Sequence, residues 1–329
     1  MKNASAIVYR EYGNPIETVE VETQELEAPK ADEVLVEMKF APINPADLNT
    51  VEGKYPVRPP LPAVPGIEGV GIVAEVGPDA KRLKKGSVVL MPHGLGTWRE
   101  AVVVAEDSLI EVDAEVPLEQ AAMLKINPPT AWRMLHDFVT LKPGDWMIQN
   151  AANSGVGRAT IQIAKSLGIK TVNIVRRQEL VEDLRAEGGD VVLVEGEDLR
   201  TQVSDLTGGA KLRLAFNSIG GESALNLANT LVNGGVIVTF GAMSKQPLRI
   251  PNGLLIFKDL SWRGFWLTRW YQNASIEERD AMFAQLIPMA RSGALKTKIE
   301  RTYALVEAKV AIARALEGKR GGKILFKMN

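Results

Sequence analysis

The feature that most constrains the fold of this chain is a regular alternation of apolar strands and helices in its second half. A strand is predicted at residues 146–150, a helix at 155–167 and a second strand at 171–175. Further strands are predicted at residues 191–194, 212–217, 236–240 and 260–265. Because successive parallel strands need a crossover connection, usually a helix, this pattern predicts an α/β fold with a doubly wound parallel sheet.

The first part of the chain has a different pattern. Short apolar strands are predicted at residues 34–40, 66–76, 86–91 and 101–105, with proline and glycine between them. Short strands with frequent turn signals are typical of a small β-rich barrel and not of a parallel sheet. The length of 329 residues corresponds to about two domains of ~150 residues each.

The turn between the first strand and the first helix of the alternation has the sequence Asn-Ala-Ala-Asn-Ser-Gly-Val-Gly, residues 150–157. Gly155 and Gly157 let the backbone approach a pyrophosphate, which the N-terminus of the helix then attracts. The first glycine of the usual three-glycine fingerprint is absent, and Ala152 or Asn153 stands in its place. The turn therefore predicts a dinucleotide site; the alternative is a glycine-rich turn without a ligand.

Two arginines, Arg176 and Arg177, follow the next predicted strand. They lie about 20 residues beyond the glycine turn, where NAD-dependent enzymes place an acidic residue for the ribose hydroxyls. A guanidinium offers a planar pair of donors to phosphate oxygens, so this pair favours the 2′-phosphate of NADP. The alternative is a solvated charge pair at a strand end.

Composition excludes several kinds of chemistry. The chain has 39 Lys and Arg, 40 Asp and Glu, no Cys and only two His, His93 and His136. A net charge of −1 provides no long-range field for nucleic acid or an anionic membrane. Without Cys there are no disulfides, thiolate nucleophiles or Cys-ligated zinc sites, and two His are too few for a three-His centre. We therefore expect no bound metal ion, and chemistry that comes from a bound organic cofactor, hydroxyls, carboxylates, Lys or Arg.

Neither membrane insertion nor export is predicted. We find no stretch of about 20 uncharged apolar residues that could span a bilayer. Residues 1–10 lack the long apolar run and the Arg-rich amphipathic pattern that mark signal and transit peptides. We therefore expect a cytoplasmic location.

Several motifs together carry a family resemblance. The most specific are Asn153-Ser154-Gly155-Val156-Gly157 and Gly264-Phe265-Trp266-Leu267, and others are Asn44-Pro45-Ala46-Asp47, Gly53-Lys54-Tyr55 and Gly94-Leu95-Gly96-Thr97-Trp98-Arg99. With these motifs the chain resembles, over essentially its whole length, the medium-chain dehydrogenase/reductase superfamily. Within it, the chain is similar to the zinc-free trans-2-enoyl thioester reductases of the mitochondrial enoyl reductase type. The first half alone also resembles quinone oxidoreductases.

The resemblance implies a domain organisation and a set of site residues. Residues 1–125 and 294–329 would form a GroES-like β-rich barrel that carries catalysis, with a Rossmann NADP-binding domain at 126–293 inserted between them. Tyr55 matches the proton-donating tyrosine of the family; the alternative is a loop tyrosine that only packs locally. The positions that match cofactor-contacting positions are Asn127, Asn153, Ser154, Gly155, Val156, Gly157, Arg176, Arg177, Gln178, Phe240, Gly241, Ala242, Met243, Phe265, Trp266, Leu267, Thr268 and Lys323.

The activity that the resemblance implies is the NADPH-dependent reduction of trans-2-enoyl thioesters. Hydride would go to the β-carbon, and Tyr55 would assist protonation of the α-carbon, with coenzyme A or acyl carrier protein as the thioester carrier. A homodimer is expected, and neither nucleic acid nor a membrane is expected as a partner. The alternatives are an NADPH-dependent quinone or enone reductase of the same superfamily and an NADPH-binding protein without catalysis.

Overall fold

The computed structural model describes residues 2–318 and 320–328 of the chain. The strands are β1 (Lys2–Tyr9), β2 (Val19–Leu26), β3 (Glu33–Pro42), β4 (Val70–Val76), β5 (Val88–Leu90), β6 (Ala101–Ala105), β7 (Ile110–Val112), β8 (Trp146–Gln149), β9 (Lys170–Val175), β10 (Val191–Val194), β11 (Leu214–Asn217), β12 (Val236–Thr239), β13 (Ser261–Gly264), β14 (Ile299–Tyr303) and β15 (Lys323–Lys327). The helices are α1 (Pro15–Thr18), α2 (Pro45–Val51), α3 (Leu118–Ala121), α4 (Asn127–Asp137), α5 (Gly155–Ser166), α6 (Val181–Ala186), α7 (Leu199–Thr207), α8 (Gly221–Thr230), α9 (Asn252–Ile256), α10 (Leu267–Asn273), α11 (Ile276–Arg291) and α12 (Ala308–Leu316).

The chain folds into two compact units. The first unit comprises Met1–Ile126 and Ile276–Asn329, and the second unit comprises Asn127–Ser275. The boundaries that the family resemblance implies are 125/126 and 293/294, so helix α11 falls in the first unit instead of the nucleotide-binding domain. Its last residue, Arg291, forms an ion pair with Asp113 of the first unit at 2.8 Å.

A seven-stranded sheet organises the first unit. Its order is β14-β15-β3-β4-β5-β7, with β6 also paired to β3, while β1 and β2 form a separate hairpin. The tail strand β15 pairs antiparallel with β3, and Phe326 lies opposite Ala41. Trp98 is fully buried with its ring 5.0 Å from that of Phe326, so the C-terminal tail is part of the same hydrophobic core. The GroES-like β-rich domain expected from the sequence is confirmed.

A six-stranded parallel sheet organises the second unit. The strand order is β10-β9-β8-β11-β12-β13, and every neighbouring pair is parallel. In the chain order of these strands this is 3-2-1-4-5-6, the order of a Rossmann fold. The doubly wound parallel sheet is therefore confirmed. Its topological switch lies between β8 and β11, where the strand order reverses.

Some elements differ from the sequence-based expectation. The strand expected at 66–76 begins only at Val70, because Gly66 has φ +103° and turns the chain beforehand. The helix expected after the second parallel strand starts as a 3-10 turn at Gln178–Leu180 and continues as α6. The paired strands β1 and β2 were not predicted, since β2 is largely exposed and rich in Glu. Among the described residues, no helix has the length and apolar character needed to cross a membrane.

Candidate functional site

The carboxyl edge of the parallel sheet gathers most of the predicted cofactor-contacting residues. Residues 153–157 follow β8, 176–178 follow β9, 240–243 follow β12, and 265–268 follow β13. Because the carboxyl ends of parallel strands meet at one edge, all four segments lie along the same side of the second unit. Ligands of open α/β sheets bind outside this edge, at the switch point.

The turn after β8 is shaped for close approach of a ligand to the backbone. The Ser154 hydroxyl caps helix α5 by accepting a hydrogen bond from the Gly157 N–H at 3.1 Å. A Cβ at Gly157 would lie 2.5 Å from the Ala152 carbonyl oxygen, so no larger residue fits there without moving the backbone. Ala151 has φ +47° and supplies the left-handed turn. Among the residues of this turn, Ala151 is a non-glycine residue in the left-handed region.

Asn127 supplies an unsatisfied donor at this turn. It is the first residue of α4 and is 8% exposed, and its Nδ2 is buried without a hydrogen-bond partner. A Cβ at Gly155 would lie 2.6 Å from the same Nδ2. Buried donors are nearly always paired, so an unpaired amide beside a glycine turn and a helix N-terminus fits an anionic ligand. The residues present here fit the pyrophosphate of a dinucleotide.

A network of buried side-chain amides, which the sequence reasoning missed, holds the switch point together. Asn150 Nδ2 donates to Asn217 Oδ1 at 2.9 Å, and Asn150 Oδ1 accepts from the Ser218 N–H at 2.9 Å. Asn217 Oδ1 also accepts from the Gly220 N–H at 3.1 Å. Asn150 directly follows strand β8, and Asn217 is the last residue of strand β11. A polar residue at the end of a buried strand was the signal that could have identified them. The network connects the ends of β8 and β11, so it stabilises the loops at the switch point.

The two arginines after β9 differ in their surroundings. Arg177 forms an ion pair with Glu179 at 3.1 Å. Arg176 is exposed, and within the described part of the chain no ion pair or hydrogen bond of its guanidinium occurs. Gln178 is exposed and begins the 3-10 turn. Arg176 is thus the guanidinium that is available to an anionic ligand at this strand end.

The loops after β12 and β13 are anchored to the same edge. The Phe240 N–H donates to the Asn217 carbonyl oxygen at 3.0 Å, and the Phe265 N–H donates to the Thr239 carbonyl oxygen at 3.0 Å. A Cβ at Gly241 would lie 3.1 Å from Ser218 Cβ, so the loop passes tightly over β11. In these loops Trp266 is partly exposed, Ala242 is exposed and Met243 is 61% exposed, whereas Leu267 and Thr268 are buried.

A cavity of about 560 Å³ opens beside the network, in the second unit. It lies between the loop after β10 and helix α8, and sequence reasoning did not identify it. Its lining includes Glu195, Glu197, Asp198, Arg200, Glu222 and Ser223. Ser223 Oγ also accepts a hydrogen bond from Asn150 Nδ2 at 3.1 Å, so the cavity adjoins the switch point.

Tyr55 lies in the first unit, on the turn that follows helix α2. Gly53 makes this turn with φ +70°. The Asn49 carbonyl oxygen accepts the N–H groups of Lys54 at 2.9 Å and Tyr55 at 3.0 Å, which fixes the backbone of the tyrosine. The Tyr55 side chain is half-buried, so a phenol hydroxyl on a fixed backbone remains within reach of a small molecule.

A buried polar cluster lies at the start of the same helix. We call Asn44, Asp47, Glu68, Lys125 and Lys323 the Glu68 cluster. Burial raises the pKa of Asp47 to about 7 and also raises the pKa of Glu68, while it lowers the pKa of Lys125 to about 7 and also lowers that of Lys323. Two carboxyl and two amino groups therefore lie together in a region that disfavours their charged forms. The ammonium of Lys323 donates to Asn44 Oδ1, so the structure places this predicted cofactor-contacting lysine in the cluster.

The two histidines do not form a metal site. His93 belongs to the first unit and His136 to the second. Among residues 2–318 and 320–328, no group of three or more His, Cys, Asp or Glu side chains is arranged to hold a metal ion.

Comparison with known proteins places this architecture in a family. The chain matches the alcohol dehydrogenase GroES-like domain over residues 30–114 and the zinc-binding dehydrogenase family over residues 155–285. The mitochondrial enoyl-acyl-carrier-protein reductase of Caenorhabditis elegans is 47% identical over 297 residues, which cover 88% of this chain and 85% of the relative.

Solved structures of 2-enoyl thioester reductases and of a quinone reductase match the chain. A putative NADPH:quinone reductase from Bacillus thuringiensis matches with a TM-score of 0.92 and 30% identity, over 100% of both chains. A complex of Etr1p with NADP and crotonyl-CoA matches with a TM-score of 0.92 and 29% identity, over 99% of this chain and all of the other. The Etr1p/Etr2p heterodimer of Candida tropicalis, a mitochondrial 2-enoyl thioester reductase, matches equally well, with a TM-score of 0.92 and 29% identity over 99% of this chain and 100% of that one.

These relatives correct one expectation. The cytoplasmic location is wrong, because the curated relative and the heterodimer are both described as mitochondrial enzymes. The expectation depended on the lack of a recognisable leader at residues 1–10, and that observation does not determine where the protein works.

The fold, the motifs and the identity to these relatives agree with one another: the chain belongs to the enoyl reductase family of the medium-chain dehydrogenase/reductase superfamily.

Proposed function

We propose that this protein reduces the carbon-carbon double bond of trans-2-enoyl thioesters with NADPH and releases saturated acyl thioesters. The observation that carries the proposal is the 47% identity to an enoyl-acyl-carrier-protein reductase over 88% of the chain. The Etr1p complex with NADP and crotonyl-CoA supports the same substrate class and the same cofactor.

The second unit is the proposed nucleotide-binding part. The helix N-terminus at Ser154, the close backbone at Gly155 and the unsatisfied Asn127 Nδ2 would bind the pyrophosphate. Arg176 is exposed and forms no ion pair with the described residues, which supports a 2′-phosphate and therefore NADPH over NADH. The segments 240–243 and 265–268 would flank the nicotinamide half, on the opposite side of the switch point from Arg176.

The first unit is the proposed source of the proton. NADPH, when bound, supplies the hydride that reduces the β-carbon of the substrate. Negative charge then develops on the thioester oxygen, and the α-carbon must receive a proton. A tyrosine, with an ordinary pKa of about 10, stays protonated at neutral pH and is still acidic enough to protonate such a carbon. Tyr55 is the residue proposed for this step, because its backbone is fixed by Asn49 and its side chain is accessible.

We propose that the protein is a homodimer that pairs through the second unit. Strand β13 is at the edge of the parallel sheet, and an unpaired edge strand offers its backbone groups to another chain. Helix α9 has no buried residue; its last residue, Ile256, is 69% exposed, and the following Phe257 is 83% exposed. An exposed apolar segment beside an open sheet edge supports an interface with a second copy.

The test of the proposed reaction is a spectrophotometric panel. NADPH oxidation is measured with trans-2-enoyl-CoA substrates of increasing chain length, with the same acyl groups on acyl carrier protein, and with a quinone. We expect oxidation of NADPH by enoyl thioesters, slow oxidation of NADH, and a saturated product two mass units heavier than the substrate. Oxidation by the quinone alone would favour the quinone reductase alternative, and tight NADPH binding with no turnover would favour a protein without catalysis.

A further inference from the structure

We propose that Glu68 is a positioning residue for the Tyr55 turn, and that it acts by setting the orientation of the Asn44 side-chain amide. The inference rests on the proposed function, because it assigns Tyr55 a role in the reaction. Glu68 lies outside the residues that sequence reasoning assigned to the site.

The Glu68 carboxylate connects two separate segments of the first unit. One oxygen, Oε1, accepts from Asn44 Nδ2 at 2.9 Å. The other, Oε2, accepts the backbone N–H groups of Lys125 at 3.2 Å and Ile126 at 3.0 Å, the last two residues before the second unit. Glu68 is fully buried and Asn44 is 3% exposed, so water does not replace these contacts.

Asn44 can satisfy both of its partners in one orientation only. Its Nδ2 faces an acceptor, Glu68, and its Oδ1 faces a donor, the ammonium of Lys323. If the amide flipped, Oδ1 would face the carboxylate and Nδ2 would face the ammonium, and both hydrogen bonds would be lost. Because a buried polar group left without a partner is destabilising, the acid on one side and the lysine on the other fix this side chain.

The fixed asparagine is the residue from which helix α2 begins. The Asn44 N–H donates to Asp47 Oδ2 at 2.7 Å, and Asp47 Oδ1 accepts from the Ile67 N–H at 2.9 Å. The start of α2 is therefore tied both to Glu68 and to the residue before it. Asn49, in the middle of the helix, holds the backbone of Tyr55 through its carbonyl oxygen. A change at Glu68 is transmitted to Tyr55 through one short helix of seven residues.

The first test exchanges the hydrogen-bond donor and acceptor between Asn44 and Glu68. In Glu68→Gln the amide oxygen is expected to stay with the backbone N–H groups of Lys125 and Ile126, so the amide N–H faces Asn44 Nδ2. Asn44→Asp places a carboxylate against Glu68, so each single change sets two like groups against each other. The double variant reverses donor and acceptor, leaves Lys323 with an acceptor, and keeps the charge of the cluster unchanged. We expect each single variant to lower kcat at least about ten-fold, which corresponds to ~1.4 kcal/mol, and the double variant to recover most of the loss. No recovery in a folded double variant would overturn the orientation argument, and recovery would support it even if Glu68→Gln alone did not fold.

The second test asks whether Glu68 acts through Tyr55. Glu68→Gln is combined with Tyr55→Phe, and kcat is compared in a double-mutant cycle. We expect little further loss in the Tyr55→Phe background. Equal fold-losses in both backgrounds would overturn the positioning role.

Glu106→Gln is the matched control, because Glu106 is also a buried carboxylate that accepts backbone N–H groups, those of Lys81, Arg82 and Leu83. It should reduce stability and leave kcat unchanged.

A third measurement separates this inference from the proposed function. Hydrogen-deuterium exchange reports the backbone N–H groups of Lys54 and Tyr55 without any substrate. We expect faster exchange in this turn for Glu68→Gln, unchanged exchange in helix α5, and restored protection in the double variant. If the wild-type protein reduced no enoyl thioester but the exchange changed as expected, the proposed activity would be rejected. The proposed effect of Glu68 on the Tyr55 turn would still be supported. Unchanged exchange in the turn would reject the coupling whatever the activity.

Discussion

Asn127 Nδ2 lies so close to Gly155 that a Cβ on the glycine would be 2.6 Å from it, and this nitrogen has no hydrogen-bond partner. A donor held in a buried position against a glycine at a helix N-terminus is arranged for an external acceptor. The pair connects the start of α4 to the start of α5, so the proposed pyrophosphate site is formed by two helices of one unit.

The first prediction compares two glycines of this turn. Gly155→Ala should weaken NADPH binding about ten-fold or more while the protein stays folded, because Asn127 is a side chain and can move aside. Gly157→Ala should reduce stability by about 1–3 kcal/mol, because its Cβ would meet the Ala152 backbone oxygen. Fluorescence titration with NADPH and urea unfolding measure the two effects. Gly318→Ala is the control, since a Cβ there meets nothing within 4 Å. Equal NADPH affinities for wild type and Gly155→Ala would contradict the assignment.

The second prediction concerns cofactor preference. Arg176→Gln should reduce kcat/KM for NADPH about ten-fold to a hundred-fold, the loss of one hydrogen bond to a charged group, and should leave the value for NADH unchanged. Arg177→Gln should have a smaller effect, because Arg177 is paired with Glu179. The exposed Arg185, which pairs with Glu182, offers a control substitution in the same unit. A parallel decrease with both cofactors would mean that Arg176 does not bind the 2′-phosphate.

The third prediction tests the proton donor. Tyr55→Phe removes one hydroxyl and retains the ring, so the turn held by Asn49 should persist. We expect turnover to fall at least about ten-fold, in the range for loss of a general acid, with the Kd for NADPH unchanged. Steady-state assays with crotonyl-CoA and a binding titration measure both quantities. Wild-type turnover in this variant would show that Tyr55 is a packing residue.

The fourth prediction is a pH dependence of stability. Burial, with a smaller effect of Lys125, lowers the pKa of His93 from 6.5 to about 4. The unfolded chain therefore binds this proton at a higher pH than the folded protein, and His93 makes the protein less stable as pH falls from 6.5 towards 4. One proton contributes at most ~1.4 kcal/mol per pH unit, and less here because the ring is partly exposed. Urea unfolding between pH 7.5 and 4.5 should show a flatter profile for His93→Gln than for wild type. Parallel profiles would contradict this prediction.

The fifth prediction tests the proposed dimer. Ile256→Glu combined with Phe257→Glu should convert the proposed dimer to a folded monomer, because both side chains are exposed in the single chain and would be buried in the proposed interface. Light scattering coupled to gel filtration measures the mass. Val306→Glu, at an 80% exposed apolar residue of the first unit, should remain dimeric. A wild-type protein that is monomeric at assay concentrations would remove the proposal.

Part of the candidate site could be predicted from the sequence, because the residue patterns that indicate it lie close together along the chain. A strand, a turn with glycines at 155 and 157, and a helix follow one another within about 20 residues, and each requires a particular local backbone. Arg176 could be found by counting from the turn to the next strand end. Tyr55 had no such pattern, and it was identified only through the motif that it shares with relatives.

Other residues could not be found because their partners are far away along the chain. Glu68 contacts Asn44 and Ile126, which are separated from it by 24 and 58 positions, and Lys323 reaches Asn44 across 279 positions. Sequence periodicity reports which face of an element is buried, and it contains no information about which polar group meets which inside a core. The buried amides Asn150 and Asn217 are a similar case, since nothing in either strand indicates the other.

The sequence by itself determined the alternation that builds a parallel sheet, the glycine turn at its first strand, and the absence of thiol chemistry. Those properties follow from residue types and from spacings of a few residues, which set the local backbone conformation. Tertiary structure alone decided that α11 belongs to the first unit, that Ala151 carries the left-handed turn, and that Lys323 meets Asn44 in the Glu68 cluster. These outcomes depend on the packing of segments that are distant in the sequence, and local residue patterns do not determine which segments meet.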